Sequence, residues 1–270
     1  MLAQDYLKGG DLDGALSAAK VAVRENPSKA ENRTFLFQLQ SVMGDWERAL
    51  NQLNLAGELD SAALPMVQTY REALACEALR EQVFTGQRSP LVFGDPEQWI
   101  ALALEAVKLA AQGRYAQAAD LRNQAYEVAP TIPGTINGEP FGWLADADSR
   151  IGPFIEAVVN GKYYWIPMNR IAAIDIEPPE DLRDLVWIPG QFSWANGGQA
   201  IGLIPVRYPG TQSSGDAAMM LARRTDWQEH AEDTYTGLGQ RLLATDQSDY
   251  PILEIREIRF EIPPQTSGVS

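Results

Sequence analysis

Two carboxylates two residues apart, followed by an arginine, make Asp146-Ala147-Asp148-Ser149-Arg150 the first place in this sequence to look for chemistry. An Asp-x-Asp pair can hold Mg²⁺ or Ca²⁺ when further oxygens arrive from elsewhere. Here no third acid follows at EF-hand distance, and no glycine-rich phosphate loop accompanies the pair. The better reading of Asp146, Asp148 and Arg150 is a structural junction, in which one aspartate caps a helix end and pairs with the arginine. The alternative is a metal-assisted hydrolase or transferase using Asp146 and Asp148, joined by Asp181 or Asp226.

The remaining reactive residues are sparse. Cys76 lies among Leu74, Ala75 and Leu79, an apolar helical pattern that makes it core filler. His230 is the single histidine and sits in a polar run, which predicts a solvated residue and excludes any two-histidine centre. Ser193 has no histidine near it in sequence, and no G-x-S-x-G elbow exists. Gly237-Leu238-Gly239 invites a phosphate-loop reading, but no lysine and helix follow it. Asp181 and Asp184 flank Arg183 and read as a solvated face or local ion pairs. No catalytic residue, cofactor site or metal site is expected.

Composition narrows the classes further. A net charge of −14 over 270 residues, with 36 Asp+Glu against 22 Lys+Arg and no basic stripe, would repel phosphate backbones. A lone cysteine suits a reducing compartment. No signal-peptide pattern and no long apolar run are visible, so a cytoplasmic protein is expected, with no nucleic acid, membrane or small-molecule substrate.

The elements that must position these residues fall into two kinds. Over residues 1–132 a glycine, a turn and an alanine-rich amphipathic run recur as Gly10–Ala15, Gly44–Ala49 and Gly113–Ala118. The glycines are 34 and then 69 residues apart, one and two periods of a tetratricopeptide-like array of helical hairpins. The array predicts small Ala15, Ala49 and Ala118 where paired helices approach, Leu12, Trp46 and Tyr115 packed across each pair, and left-handed glycines ending each first helix. Pro27 and Pro130 close the first and last copies, and Asp60-Ser61 closes the second. A degenerate copy occupies about 64–94. Ser28–Glu31 reads as a capping box, and Asp95–Gln98 as an N-cap with Pro96 at the first helical position. Arg33, Phe37, Gln38, Tyr70 and Arg71 are the candidates to line a concave face and bind a partner.

Pro130, Pro133, Gly134, Gly138 and Pro140 end this pattern, which places a boundary near 131–141. Residues 141–262 then form a β-rich domain. Strands are expected at 154–159 and 162–167 around an Asn160-Gly161 type I′ turn, then at 171–176, 185–193, 200–208, 240–244 and 252–260. Glu177–Asp184 reads as a turn into a short helix, and Asn196-Gly197-Gly198 as a hairpin turn. Tyr163-Tyr164-Trp165 must place at least one face in a core. The fold class is therefore α+β: a helical hairpin array followed by a small, mainly antiparallel, barrel-like domain, with a disordered tail at 263–270.

Six motifs taken in order resemble the ImpE/SciE (TagJ) family: Asp146–Pro153, Gly161–Pro167, Glu177–Trp187, Ile204–Gly210, Arg223–Trp227 and Gly237–Arg241. These are accessory proteins of the bacterial type VI secretion system. The resemblance implies a non-catalytic cytoplasmic adaptor. It would bind a helix of the small sheath subunit (TssB/VipA type) and link the sheath to a ClpV-type AAA+ ATPase. The family brings no catalytic residues with it. A structural subunit of the secretion apparatus is the third possibility.

Overall fold

The computed structural model describes residues 2–95, 97–231 and 233–262. The helical half comprises α1 (Ala3–Lys8), α2 (Leu12–Glu25), α3 (Ala30–Val42), α4 (Trp46–Leu59), α5 (Leu64–Phe84), α6 (Gln98–Ala111) and α7 (Tyr115–Val128), with a short strand β1 (Leu91–Val92) between α5 and α6. The pairs α1–α2, α3–α4 and α6–α7 turn on Gly10, Gly44 and Gly113, at φ +77°, +74° and +75°, conformations that cost a residue with a Cβ. Ala15, Ala49 and Ala118 are buried where the paired helices meet.

Several local expectations change. Trp46 and Tyr115 stand at the first positions of α4 and α7, and their rings meet Trp187 and His230 of the second half. The degenerate copy expected over about 64–94 is not a hairpin: residues 64–84 form the single 21-residue α5. The segment after it becomes β1. The N-cap of α3 is Lys29 rather than Ser28, because a turn from Asn26 to Lys29 delays the helix. The N-cap of α6 is Glu97 rather than Asp95; the Glu97 carboxylate accepts from Trp99 Nε1 at 3.0 Å instead of capping, and Pro96 lies outside the described residues.

The second half contains β2 (Gly134–Ile136), β3 (Glu139–Phe141), β4 (Leu144–Asp146), β5 (Phe154–Val159), β6 (Lys162–Pro167), β7 (Ile171–Ile176), β8 (Trp187–Trp194) and β9 (Gln199–Pro205). A four-residue helix α8 (Ala217–Met220) precedes β10 (Thr225–Ala231), β11 (Thr234–Gly239), β12 (Leu242–Thr245), β13 (Asp249–Pro251) and β14 (Glu257–Phe260). Nine strands form one sheet in the order β1-β6-β5-β9-β8-β7-β14-β2-β3, antiparallel except where β1 runs parallel to β6. β13-β12-β4 form a second sheet, and β10-β11 a separate hairpin.

The expected barrel is not formed: among the described residues the large sheet ends openly at β1 and β3. Helices cover one of its faces, and Leu144 of β4, Leu243 of β12, Ile252 and Ile255 pack into the cluster on the other. Asn160-Gly161, at φ 49° and 71°, closes the β5–β6 hairpin as a type I′ turn should. Asn137-Gly138 does the same for β2–β3, a hairpin the sequence showed only as a turn. The β10–β11 hairpin was not expected, because its exposed strand carries Asp226, Gln228 and Glu229 and no apolar alternation. The tail at 263–270 lies outside the described residues.

All six residues of β5 are buried, and its alternation decides the architecture. Phe154, Glu156 and Val158 face the helices, while Ile155, Ala157 and Val159 face the opposite core. On β6, Tyr163 and Trp165 share the helix-facing side, and Tyr164 points the other way. One apolar cluster therefore runs from Leu7 on α1 through Phe37, Tyr70 and Phe84 to Trp165, Trp187 and Tyr208. Among the described residues no helix is long and apolar enough to cross a membrane.

Candidate functional site

Two aromatic groups and a buried charge network form the seam between helices and sheet. In the first group Trp187 of β8 meets Trp46 at 5.8 Å and Tyr70 at 6.0 Å, and donates Nε1 to Glu77 at 2.7 Å. In the second, Trp165 lies 5.6 Å from Phe84 of α5 and 5.4 Å from Phe154, which packs 5.0 Å from Trp99 of α6. Aromatic side chains bury about 150–250 Å² each, so these contacts hold much of the seam.

Between the two groups lies Glu156, fully buried. Arg80 of α5 grips it bidentately, Nε to Oε1 at 2.7 Å and Nη2 to Oε2 at 3.1 Å, and also donates Nη2 to the Arg207 carbonyl at 2.8 Å. Arg241 and the Tyr163 hydroxyl donate to the same carboxylate. Arg241 also reaches within 3.1 Å of Asp146, though the two are misaligned, so Asp146 Oδ2 and Arg241 Nη1 form an ion pair without a hydrogen bond. Asp146 Oδ1 accepts from the Asp148 amide at 2.9 Å and the Tyr208 hydroxyl at 3.1 Å.

Asp148 is saturated in its turn. Its oxygens accept Nε and Nη2 of Arg150 at 2.9 and 2.6 Å, the Arg150 amide at 2.9 Å and the Gly237 amide at 2.8 Å. Arg150 then lies over the Phe84 ring of α5 at 5.0 Å. The aspartates thus cap no helix. They join a loop to the sheet and to α5; both Asp148 oxygens are taken by protein donors, and Asp146 Oδ2 has only its ion pair with Arg241. Among the described residues no group of three or more His, Cys, Asp or Glu could hold a metal ion.

Burial and charge pull the two acids apart. Burial pushes the Asp146 carboxyl up to about 7, with Arg241 opposing and Asp148 adding to the rise. Burial alone would raise Glu156 too, but Arg80 and Arg241 outweigh it and hold the carboxyl at about 2. Burial lowers Arg207 to about 10 and raises the Cys76 thiol to about 11, so Cys76 is no thiolate nucleophile at neutral pH.

Two further arginines of the sheet half close helix ends. Arg207 donates Nη1 to the Val42 and Met220 carbonyls at 2.6 Å each and Nη2 to Ser41 at 3.3 Å, at the C-terminus of α3. Arg223 donates Nη2 to the Leu7 carbonyl at 2.7 Å, at the C-terminus of α1. A cation is favoured where carbonyls are left unpaired at a helix end.

The proposed partner-binding residues do not form one surface. Phe37 and Tyr70 are buried against each other at 5.8 Å, with Tyr70 also under Arg183 at 4.8 Å, and Gln38 is buried beside them. The face they occupy is filled by the protein's own sheet. Arg33 is half-buried and binds Gln52 at 2.9 Å; Arg71 is exposed and binds Asn54 at 2.8 Å. His230 is not simply solvated: its ring stacks on Tyr115 at 4.1 Å and Nε2 pairs with Thr236 at 2.8 Å. Ser193 pairs with Gln199 on β8 and β9, and Asp226 with Arg224 on the exterior. Asp181 pairs with Arg183, while Asp184 receives the amides of Glu180 and Asp181. Gly237 sits on strand β11 against the Tyr208 ring, where a Cβ would fall 2.2 Å from it, so the Gly-x-Gly serves packing rather than phosphate binding.

Sequence reasoning missed Arg80, Glu156 and Arg241. The signal was present: one glutamate inside the otherwise apolar run Phe154–Val159 has to be paired if that strand is buried.

The free surface lies elsewhere. A groove of about 680 Å³ runs between α1, α2 and α3, lined by Tyr6, Ala18, Val21, Ala22 and Phe35, with the exposed acids Glu25 and Glu31 at its edge.

Fold and site together define a two-part helix-and-sheet protein, locked along an internal charged seam and open at its N-terminal helices. The chain belongs to the ImpE family. The sequence profile of the family described as ImpE protein matches residues 138–259. A Pseudomonas aeruginosa PAO1 protein, "Type VI secretion system accessory component TagJ", is 49% identical over 261 residues, covering 97% of this chain and 92% of that one. The crystal structure of protein VPA1032 from Vibrio parahaemolyticus superimposes with a TM-score of 0.84 at 26% identity, covering 96% of this chain and 97% of that one.

Proposed function

We propose that this protein is a non-catalytic, cytoplasmic adaptor accessory to type VI secretion, and that its helical hairpins work as a tetratricopeptide-type receptor for a helix of the small sheath subunit. The observation that carries this reading is the groove between α1, α2 and α3. Its small and apolar walls suit the apolar stripe of an amphipathic helix, and Glu25 and Glu31 suit basic residues flanking that stripe. The partner surface therefore lies on the side away from Phe37 and Tyr70. The family relationship supplies the apparatus, and Glu156 and Asp148 of the seam are engaged on both oxygens by protein donors. Linking the sheath to a ClpV-type ATPase is the second half of the role and needs a separate surface on the same chain.

Calorimetry with a peptide of the sheath small subunit's N-terminus tests the receptor. Saturable binding that Val21→Glu weakens at least about tenfold, with helical content retained by circular dichroism, is the expected result. Absence of heat with wild-type protein, or equal affinity in the variant, sinks it.

A further inference from the structure

A second cavity, outside the groove, opens onto the seam. It encloses about 240 Å³ between α5 and the turn at 209–213, with Arg80, Phe84 and Arg150 beside Glu77, Gln212 and Ser213. Arg80 and Arg150 both lie against the Phe84 ring, their guanidinium carbons 5.7 and 5.0 Å from its centre. Each uses Nε and Nη2 on its own carboxylate, Glu156 or Asp148. Nη1 of Arg150 makes no hydrogen bond among the described residues, and Nη1 of Arg80 has only Glu77 at 3.7 Å, beyond hydrogen-bond reach. The Arg80 side chain is 7% exposed, and its Nη1, ion-paired with Glu77 without a hydrogen bond, has the cavity as its outlet.

The two arginines of this cavity thus keep donors that no protein acceptor takes at hydrogen-bond distance. A guanidinium carries five N–H donors and no acceptor. Both Glu156 oxygens already receive two donors each, and both Asp148 oxygens do the same. Glu77 spends one oxygen on Trp187. Glu81 is exposed at the lip, where water screens its charge. A ligand that completes this arrangement must bring acceptors.

We infer that this cavity is a binding site for a small oxyanion, a carboxylate or a phosphate group, held between Nη1 of Arg80 and Nη1 of Arg150. Ser213, exposed at the rim, and Gln212 supply further donors. The contacts would be charge-assisted and partly shielded from water, which strengthens them. The site does not depend on the helix-receptor reading and is tested without any partner protein.

The test titrates the full-length protein with succinate and, separately, inorganic phosphate, at ionic strength fixed with sodium chloride, by calorimetry and thermal melting. Saturable binding with Kd of about 1 mM and a raised Tm is expected for at least one of them. Succinate alone identifies a carboxylate site, and phosphate alone a phosphate site. Arg150→Gln should weaken binding about tenfold or more. Because that variant also disturbs Asp148, Ser213→Asp provides the independent check. It places a carboxylate at the rim of the same cavity, and should raise Tm without ligand and abolish the response to both anions. No saturable binding of either anion up to about 20 mM overturns the inference, as does an unchanged response in Ser213→Asp.

Discussion

The seam and the α1–α3 groove are built from the same kinds of residue and come out as opposites. Along the seam, Phe37, Trp46, Tyr70 and Trp187 exclude water, and Arg80, Glu156 and Arg241 are held inside them. In the groove, Ala18, Val21 and Ala22 leave a trough with Val21 40% exposed. A helical array has two faces, and here the chain's own sheet covers one of them. The face the sheet does not reach, at α1–α3, stays open.

Breaking the seam should cost most. Glu156→Ala leaves Arg80 and Arg241 buried without their shared carboxylate, and about 3–5 kcal/mol should be lost in urea unfolding. Trp187→Ala should lose about 3–5 kcal/mol by opening a cavity at the centre of the first aromatic group. Val21→Glu, in the groove, should change unfolding free energy by less than about 0.5 kcal/mol while weakening the sheath peptide. Equal destabilisation by Trp187→Ala and Val21→Glu would erase the contrast between the regions.

Smaller substitutions sharpen the same comparison. Gly44 and Gly113 both sit at positive φ, but a Cβ on Gly44 would lie 2.5 Å from Gln212 Cβ, whereas none meets an atom within 4 Å at Gly113. Gly113→Ala should cost about 1–2 kcal/mol from backbone strain alone, and Gly44→Ala measurably more. A thermal melt of each gives the order.

The pH dependence separates the two seam acids. Asp146, raised from 3.8 to about 7, retains in the folded protein a proton that the unfolded chain has lost. Its contribution therefore falls as pH rises through that window. Glu156, lowered from 4.5 to about 2, does the reverse: its contribution is present above 4.5 and is lost as pH falls toward 2. Asp146→Asn should flatten the stability profile between about pH 4 and 7 and leave the acid limb intact. Urea unfolding over a pH series decides this; an unchanged slope in the variant counts against the assignment.

Much of this protein was legible from residue patterns. Glycine at a fixed interval, with alanine five residues on, identified the hairpins because only close helix approach demands both. Asn160-Gly161 between β-formers located its hairpin to the residue, since that pair is chosen by turn geometry. At 146–150 the pairing of an aspartate with Arg150 was legible, but not Arg241 or Gly237 as further partners. Those contacts bridge roughly 90 residues of sequence, and no local pattern encodes them.

Periodicity fixes which side of an element is apolar; it does not say what covers that side. The sequence by itself determined the helical and strand halves, most turns and the single histidine. Tertiary structure alone decided that α5 is one helix, that β1 joins the sheet from the helical half, and that Phe37 and Tyr70 are closed off rather than presented. It also decided where a buried charge is affordable. Glu156 is tolerated in an apolar strand only because the fold brings Arg80 from 76 residues upstream and Arg241 from 85 downstream to meet it.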